Sequence, residues 1–270
     1  MRQSLAKGII MYNKEAIIGI VKEAAQRVKN VDRNGMQLHS KLNFRDFCTE
    51  HDEKIQAFLY EELAKVCPFA KFMGEEDKER TDTLEGYWFI IDPIDGTSNF
   101  MFDYHHSAIS VALIKDGDSV FGVVANPYLD EIFTAEKGNG AYLNGKQLKV
   151  YDTGLSQSLL GFGTSPYHLE LSDETFELIK AIYTKVLDIR RCGSAALDIC
   201  YVAANRQHIF YEAILQPWDY AASSLILTEA GGVACNLNGG KLNLLCGDSV
   251  ACGNQRSVVE FLDFYRSLKK

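Results

Sequence analysis

Residues 88–100, with the sequence WFIIDPIDGTSNF, limit more than any other stretch what this chain can fold into. The first residues are apolar, aromatic or β-branched, which predicts a short strand buried on both faces. Pro93 cannot donate a hydrogen bond to a sheet, so we expect the strand to end at Asp92. Gly96 permits a sharp turn, and the residues after it are typical of a helix start. The stretch therefore predicts a strand, a tight turn and a helix.

Asp92 and Asp95 flank that turn, beside the backbone N–H groups that begin the predicted helix. Free N–H groups at a helix start can bind a phosphate oxyanion. Two carboxylates next to a bound phosphate repel it unless cations lie between them. Carboxylate, carbonyl and hydroxyl oxygens are hard ligands, which favour Mg²⁺, Ca²⁺ or Mn²⁺. A capped turn without a ligand is the alternative, but such a turn needs only one aspartate.

The composition is that of a globular chain. Its 270 residues, 47% of them hydrophobic, can form one large or two modest domains. The formal charge of −8 disfavours nucleic acid and anionic membranes as partners. The seven cysteines are scattered and lack a C-x-x-C pair, which indicates buried thiols in a reducing compartment and predicts a cytoplasmic protein. The apolar stretch at residues 9–12 is too short for a signal peptide, and no segment approaches membrane-spanning length.

The first half of the chain changes from helical to hairpin patterns. Apolar spacing predicts helices at residues 13–29 and 49–66 and a strand at 69–73, while the polar residues 32–43 predict a mobile loop. From residue 107 to 150, apolar runs alternate with turn dipeptides, which predicts hairpins of a mainly antiparallel sheet. These dipeptides are Asp116-Gly117, Asn139-Gly140 and Asn144-Gly145.

Near Tyr151 the pattern changes to alternating strands and helices, and we place a domain boundary there, between residues 1–151 and 152–270. The strands predicted after it are 159–164, 188–191 and 208–212. The helices predicted after it are 172–187, one from residue 194, 217–229 and 255–268. Residues 193–195 are small and lie at a strand-to-helix turn, where either helix packing or a ligand could require small residues.

Three motifs, in this order along the chain, resemble those of the inositol monophosphatase family within the lithium-sensitive, magnesium-dependent phosphatases. They are G-E-E at residues 74–76, D-P-I-D-G-T at 92–97, and W-D at 218–219 followed by A-G-G at 230–232. The resemblance runs from about residue 41 to 232. It implies an α+β or α/β fold, a layered αβαβα sandwich of the inositol monophosphatase and fructose-1,6-bisphosphatase type, with an antiparallel-rich first sheet and a mixed second sheet. It also implies a phosphoric monoester hydrolase, which we expect to be a homodimer.

The resemblance assigns roles to residues that match the family's motifs. It implies two or three Mg²⁺ ions, replaceable by Mn²⁺, on the ligands Glu75, Asp92, the Ile94 carbonyl, Asp95 and Asp219. The residues it implies for catalysis are Glu75, Thr97, Asp52 and Lys41. Those it implies for phosphate binding are Gly96, Thr97 and Ser98, through the backbone. Those it implies for substrate binding are Asp95, Gly193, Ser194, Ala195, Glu212 and Asp219.

Several of these residues also have a purely structural interpretation. Lys41 could be a solvated loop lysine, and Asp52 could complete a capping box with Thr49. Asp219 in a first helical turn is favourable to the helix dipole without any metal. Glu212 could be an edge-strand acid that faces water.

The substrate class depends on Glu212. An ionised carboxylate only accepts hydrogen bonds, so it suits a polyol whose hydroxyls donate, and it repels a second phosphate. Inositol monophosphate is therefore the expected substrate, a small-molecule phosphate monoester. The alternatives are NADP(H), fructose 1,6-bisphosphate and 3′-phosphoadenosine 5′-phosphate, and the alternative from another class is a non-catalytic, metal-dependent regulatory protein.

Two other functions are disfavoured. Cys200 and Arg206 have the C-x5-R spacing of protein tyrosine phosphatases, but the residues between them lack glycine and continue a helical pattern. The sequence also lacks the twelve-residue loop of alternating acids that a calcium buffer requires.

Overall fold

The computed structural model describes residues 12–32, 38–40 and 47–269. Its helices are α1 (Lys14–Lys29), α2 (Glu50–Val66), α3 (Thr97–Met101), α4 (Ser172–Ile182), α5 (Ala195–Ala203), α6 (Pro217–Glu229) and α7 (Gln255–Leu268). Its strands are β1 (Leu38–Ser40), β2 (Phe47–Thr49), β3 (Ala70–Gly74), β4 (Tyr87–Asp95), β5 (Ala108–Lys115), β6 (Asp118–Asn126), β7 (Glu131–Glu136), β8 (Ala141–Leu143), β9 (Lys146–Gln147), β10 (Leu159–Phe162), β11 (Asp188–Arg190), β12 (Ile209–Leu215), β13 (Val233–Cys235) and β14 (Asp248–Gly253).

The strands form two large sheets. The first has the order β3-β4-β5-β6-β7-β8-β9, in which β3 and β4 are parallel and all later neighbours are antiparallel. The second has the order β11-β10-β12-β14-β13; its β10 is parallel to both neighbours, and β14 is antiparallel to both of its own. The antiparallel-rich first sheet and the mixed second sheet are thus confirmed. The first sheet ends at Gln147 and the second begins at Leu159.

The helices and sheets stack in five layers. Helices α1 and α2 cover one face of the first sheet, α5 and α6 lie between the sheets, and α4 and α7 cover the far face of the second. Successive residues of β4 enter different cores: Ile90 faces α5 and α6, and Ile91 faces α1 and α2. The predicted αβαβα sandwich is therefore confirmed, and the apolar run of β4 is explained by burial on both faces.

Local sequence signals set the hairpins. The pairs Asp116-Gly117 and Asn144-Gly145 have positive φ at both positions, the type I′ geometry whose twist matches that of the paired strands. They join β5 to β6 and β8 to β9, as predicted. Asn139-Gly140 also lies between paired strands, β7 and β8, but there Gly138 and Gly140 have the positive φ.

Three sequence predictions were wrong in detail. The strand predicted to end at Asp92 continues to Asp95, with a shift of register after Asp92. Proline is tolerated at such an irregularity because no ladder hydrogen bond is required of it there. The predicted loop at residues 32–43 contains β1, which pairs with β2; the rest of it from residue 33 lies outside the described residues. The helix predicted to reach residue 187 ends at Ile182 and is followed by a 3₁₀ turn.

The cysteine side chains that the structure describes are free thiols, and Cys67, Cys200, Cys235 and Cys252 are buried. These four agree with the predicted buried thiols. Within the same described part of the chain, no helix has both the length and the apolar character needed to cross a membrane. The cytoplasmic location stays a prediction.

Candidate active site

A bulge at the end of β4 brings the two motif aspartates together. Asp92 pairs with Ser110 of β5, and Asp95 pairs with Ala108. The four residues 92–95 of β4 therefore lie opposite only three residues of β5, 108–110. In a regular strand, residues three apart point to opposite faces, but the extra residue of the bulge returns them to the same face. Asp92 Oδ1 accepts a hydrogen bond of 3.0 Å from the Ile94 N–H, which holds the bulge.

Asp95 is bound by the start of α5. Its Oδ2 accepts a hydrogen bond from the Ser194 hydroxyl and one of 2.8 Å from the Ala196 N–H. The adjacent Gly96 has φ of 89°, and a Cβ there would lie 2.9 Å from the Gly193 carbonyl oxygen. Gly193 and Ser194 therefore contact the turn at Gly96 and Asp95 directly, and a φ of 91° favours glycine at position 193.

Asp219 approaches the same point from α6. Its Oδ2 accepts a hydrogen bond of 2.7 Å from the Gln216 N–H, and the Ser110 hydroxyl of β5 donates to the Trp218 carbonyl at 3.0 Å. These contacts fix the first turn of α6 against the first sheet. Asp92, Asp95 and Asp219 each offer a carboxylate oxygen, and these oxygens lie within 4.8 Å of one another.

The three carboxylates repel one another when ionised. Burial, followed by the charges of Glu75, Asp95 and Asp219, raises the pKa of Asp92 well above its ordinary range. Burial and the neighbouring acids likewise raise the pKa of Asp219. The pKa of Asp95 rises only to about 6, because its hydrogen bonds from Ser194 and Ala196 favour the charged form against burial. Convergent oxygen ligands with this excess of negative charge fit a hard divalent cation such as Mg²⁺.

Glu75 reaches the cluster from β3. Its N–H donates to the Ile91 carbonyl at 3.1 Å, which continues the pairing of β3 with β4. Arg80 donates to the Gly74 carbonyl at 2.9 Å and to the Glu75 carbonyl at 3.0 Å. The Arg80 guanidinium also lies 4.4 Å from the centre of the Trp218 ring. Arg80 thus joins the first motif to the third, a role that the sequence analysis missed.

Thr97 and Asp52 are in contact, as the resemblance implies. The Thr97 hydroxyl lies 3.3 Å from Asp52 Oδ1 and 3.2 Å from the Ile94 carbonyl oxygen, and its single hydrogen can be donated to one of them at a time. Asp52 is fully buried. The Thr49 side chain and all of Lys41 lie outside what the structure describes, so the capping box and the lysine stay predictions.

These residues surround a cavity of about 430 Å³. The predicted site residues that line it are Glu75, Asp92, Ile94, Asp95, Gly96, Thr97, Ser98, Gly193, Ser194, Ala195, Glu212 and Asp219. Asp52 lies behind Thr97 and is not part of the lining. A cavity of this size can enclose a small phosphorylated molecule.

Glu212 lies on the cavity wall and not on a sheet edge. Its strand β12 is central, between β10 and β14, and its side chain is only 6% exposed, so the edge-strand interpretation was wrong. Glu212 Oε1 accepts a hydrogen bond of 2.8 Å from the Ser165 N–H. Gly163 leaves the space that the carboxyl fills, since a Cβ there would lie 1.8 Å from Glu212 Oε2. Burial raises the pKa of Glu212 to about 8, against the opposing effects of the Ser165 N–H and Arg191.

Comparison with known proteins agrees with this geometry. The family model described as "Inositol monophosphatase family" matches residues 3–263. The chain belongs to the inositol monophosphatase family. Inositol monophosphatase family members are phosphatases, and the chain carries the three motifs that the sequence analysis found.

Individual members of the inositol monophosphatase family resemble the chain over most of its length. The inositol-1-monophosphatase of Rhizobium meliloti is 42% identical over 213 residues, which cover 78% of this chain and 79% of that protein. The Nus factor SuhB of Escherichia coli strain K12 is 36% identical over 224 residues, with coverage of 83% and 84%. The crystal structure of the extragenic suppressor protein suhB from Bartonella henselae has a TM-score of 0.87 at 31% identity, and covers 93% of this chain and 97% of its own.

The sequence analysis missed two further residues that line the cavity. Asp198 of α5 is 1% exposed, accepts a hydrogen bond of 2.6 Å from Gln207 Nε2, and has its pKa raised to about 7 by burial. Arg191 lines the cavity and donates to the Thr164 hydroxyl at 3.1 Å. The available signal was one charged residue within the otherwise apolar helix sequence A-A-L-D-I-C, at residues 195–200.

Asp77, the last acid of the run at residues 75–77, has a structural role. It accepts hydrogen bonds from the Gly74 N–H at 2.7 Å and from the Tyr60 hydroxyl at 2.5 Å. The run at residues 75–77 therefore includes an acid that stabilises the local backbone. Its acids divide between the cavity, where Glu75 lies, and the support of the turn after β3.

The tyrosine phosphatase interpretation is excluded by the position of its two residues. Cys200 is fully buried inside α5, where burial raises the pKa of its thiol well above the ordinary value. Arg206 donates to Glu131 Oε2 at 2.8 Å. A buried, protonated thiol within a helix cannot act as the nucleophile of a phosphate-binding loop.

The raised pKa of Glu212 predicts a pH-dependent stability in metal-free protein. Between its ordinary value of 4.5 and about 8, the folded state binds the Glu212 proton more tightly than the unfolded state does. Stability from this group is therefore present at low pH and lost as pH rises to about 8. Glu212→Gln removes the ionisation, so its Tm should rise relative to wild type between pH 5 and 9. A difference in Tm between variant and wild type that is constant with pH would contradict a raised pKa of Glu212. The same pH trend in the exposed Glu177→Gln control would also contradict it.

Proposed function

We propose that this phosphatase is a Mg²⁺-dependent inositol monophosphatase, which releases inositol and phosphate from a myo-inositol phosphate. The observation that carries the proposal is the cluster of Asp92, Asp95 and Asp219, whose carboxylate oxygens lie within 4.8 Å of one another at the cavity wall. A bound cation would compensate their mutual repulsion when they are ionised. Glu212 provides a separate buried acid on the same cavity, suited to hydroxyl groups.

The metal ligands follow from the family resemblance and the cluster. Glu75, Asp92 and the Ile94 carbonyl would hold one ion, and Asp92, Asp95 and Asp219 would hold a second. When bound, Mg²⁺ supplies positive charge to the phosphate and lowers the pKa of water. The ion number, two or three, is part of this proposal.

The chain's own residues have three tasks in the proposed reaction. Glu75 and Thr97 would position a water molecule, Glu75 would accept its proton, and Asp52 would orient the Thr97 hydroxyl that lies 3.3 Å away. The backbone N–H groups of residues 96–98 would hold the phosphate. The turn at Gly193 holds the cavity wall beside them, since it contacts Gly96.

Glu212 favours a substrate with one phosphate and several hydroxyls. Its carboxyl accepts a hydrogen bond from the Ser165 N–H, and the residue lines the cavity. In the metal-free protein the pKa of Glu212 is raised to about 8, and positive charge from bound cations would oppose that shift, so that the ionised carboxylate accepts hydrogen bonds from a polyol. A second phosphate at this wall would meet the acids Glu212 and Asp198, with Arg191 as the opposing charge. The name of the Rhizobium meliloti relative agrees with inositol phosphate as substrate.

The test is phosphate release from a panel of monoesters with and without Mg²⁺. We expect inositol 1-phosphate to be hydrolysed faster than NADP, fructose 1,6-bisphosphate or 3′-phosphoadenosine 5′-phosphate, and excess chelator to abolish the activity. Full activity in chelator would overturn the metal assignment. Faster hydrolysis of another panel member would overturn the substrate assignment while the phosphatase assignment stood.

A substitution of Glu212 in the cavity wall distinguishes substrate recognition from the chemical step. Loss of a hydrogen bond to a charged group costs about 1.5–3 kcal/mol, so Glu212→Ala should lower kcat/KM for inositol 1-phosphate by about 10- to 150-fold. Hydrolysis of a small aryl phosphate, which lacks the hydroxyls, should change little. Equal losses of kcat/KM on both substrates would show that Glu212 stabilises the site without recognising the polyol.

A role outside catalysis is the second candidate, because one relative bears the name Nus factor SuhB. No release of phosphate from any panel member, despite Mg²⁺ binding, would favour it. We also propose a homodimer, from the family resemblance, a cytoplasmic location, from the scattered cysteines, and a domain division between residues 151 and 152, from the change of sequence pattern there.

A further inference from the structure

A second cluster of ligand types lies beside the active site. It consists of His106, Cys192 and Asp198, whose nitrogen, sulfur and carboxylate oxygen lie within 4.8 Å of one another. His106 precedes β5 of the first sheet, Cys192 follows β11 of the second, and Asp198 lies in the first turn of α5. The cluster therefore bridges elements from both sheets, and its chemistry differs from that of the all-oxygen cluster at Asp92.

Two neighbours hold this cluster in place. The Asn99 side-chain amide donates to the His106 carbonyl at 2.7 Å and to the Cys192 carbonyl at 2.8 Å, which ties together the backbones of two of the three residues. The Gln207 amide donates to Asp198 at 2.6 Å and lies 3.7 Å from the Cys192 sulfur. Such outer contacts orient the ligand side chains in metal sites. Burial, followed by the contact with Asp198, raises the pKa of the Cys192 thiol to about 12, so the sulfur keeps its proton until a metal displaces it.

The histidine has an unused ring atom. Nε2 of His106 is buried and, among the described residues, has no hydrogen-bond partner. Burial also lowers the pKa of this ring, which keeps the imidazole neutral and able to bind a metal. A buried polar atom without a partner calls for an explanation, and a bound ion is one of the few that protein structures offer.

We propose that His106, Cys192 and Asp198 form a Zn²⁺ site, separate from the Mg²⁺ ligands. Thiolate and imidazole favour Zn²⁺, whereas Mg²⁺ prefers oxygen ligands alone. Zinc bonds of about 2.0–2.3 Å place tetrahedral ligands roughly 3.3–3.8 Å apart, so the cluster needs only a small contraction. Binding breaks the S–H bond of Cys192, releases that proton to solvent and forms the zinc–sulfur bond, with no change of oxidation state. Three protein ligands leave a fourth position for water.

A Zn²⁺ ion bound at this site would change the charge and geometry of the adjacent active-site cavity. Asp198 lines that cavity, and Cys192 precedes the turn at Gly193 that contacts Gly96. A zinc ion would add positive charge to a wall that carries Asp198 and Glu212 and would fix the Gly193 turn. It would thereby couple Zn²⁺ concentration to the geometry of the phosphate-binding turn.

Cobalt substitution tests the proposal on full-length protein kept saturated with Mg²⁺. Co²⁺ should give a thiolate-to-cobalt absorption band in the near ultraviolet at one equivalent, and Zn²⁺ should displace it. Cys192→Ser should abolish the band, and His106→Gln should weaken Co²⁺ and Zn²⁺ binding by about 100-fold or more, beyond the 10- to 100-fold typical of outer-shell losses. The exposed Cys246→Ser is the matched control and should keep the band. Absence of the band in wild type, or its retention in Cys192→Ser, would overturn the proposal.

Alkylation of the wild type gives an answer that does not depend on the folding of any variant. Zn²⁺, added in the presence of Mg²⁺, should slow alkylation of Cys192 by at least about tenfold, because the metal-bound sulfur is occupied. Peptide mass spectrometry reports Cys192 and the exposed Cys246 in the same sample. Equal alkylation rates of Cys192 with and without Zn²⁺ would refute the site.

Discussion

Asp95→Asn is expected to lower kcat by about 10³-fold or more while the protein remains folded. A single group that stabilises transition-state charge already contributes about 10²–10³. Asp95 both belongs to the carboxylate cluster and fixes the turn at Gly96, so its loss should exceed that range. Asparagine keeps a side-chain oxygen that can accept from Ser194 and Ala196, and it removes one of the mutually repelling charges. The Tm in the absence of metal should therefore be unchanged or higher.

The measurement pairs steady-state hydrolysis with thermal unfolding, and Asp263→Asn is the matched control. Asp263 is exposed on α7 and forms an ion pair of 3.4 Å with Arg266, so the same chemical change there should leave kcat unaltered. An Asp95→Asn variant with more than a tenth of wild-type kcat would contradict the assignment. A loss of activity that only parallels a loss of folded protein would also contradict it.

Glu75→Gln is expected to reduce kcat by about 10²- to 10⁴-fold even when Mg²⁺ saturates the enzyme, because general-base catalysis typically contributes that much. Glutamine retains the shape and one oxygen ligand but cannot accept the proton from water. The backbone should be unaffected, since the Glu75 N–H and carbonyl are held by Ile91 and Arg80. A Mg²⁺ titration of kcat separates the two roles of this residue.

The neighbouring acid supplies the control for Glu75. Glu76 follows it in the same turn but is not part of the described cavity lining, so Glu76→Gln should retain nearly full activity. If added Mg²⁺ restores Glu75→Gln completely, Glu75 is a metal ligand only, and water must lose its proton to another group. Equal effects of the two substitutions would mean that the turn, not the carboxylate, determines the rate.

Local sequence signals were sufficient to predict the bounds of a helix where the residues that begin and end it lie within the helix or next to it. The bounds predicted for α6 and α7 match the structure, because Pro217 at a first helical position and the cap at Asn254 are encoded within a few residues. Asp92 and Asp95 were identified for the same reason, since they lie within one turn, whereas Glu75 and Asp219 were assigned by the family resemblance. The common face of Asp92 and Asp95 required the bulge, however, and a bulge depends on how β4 pairs with β5.

Contacts between distant segments were not predictable from the sequence where no family motif marks them. The strand order that makes β12 central decides whether Glu212 is buried, and no local pattern encodes that order. Arg80 contacts Trp218 across more than a hundred residues, and Asp198 acquires its surroundings from Gln207 and the cavity. Such residues are recognised only when the fold has brought their partners together.

The position of α6 between the two sheets has a consequence for synthesis of the protein. Asp92 and Asp95 leave the ribosome more than a hundred residues before Asp219, and the first sheet is complete in sequence at Gln147. A nascent chain that has folded this sheet still lacks both the Ser194 and Ala196 donors of Asp95 and the third carboxylate. With the proposed site residues, a newly made molecule cannot hydrolyse a phosphate ester until α5 and α6 have packed against the sheet, so hydrolytic activity is acquired late in synthesis.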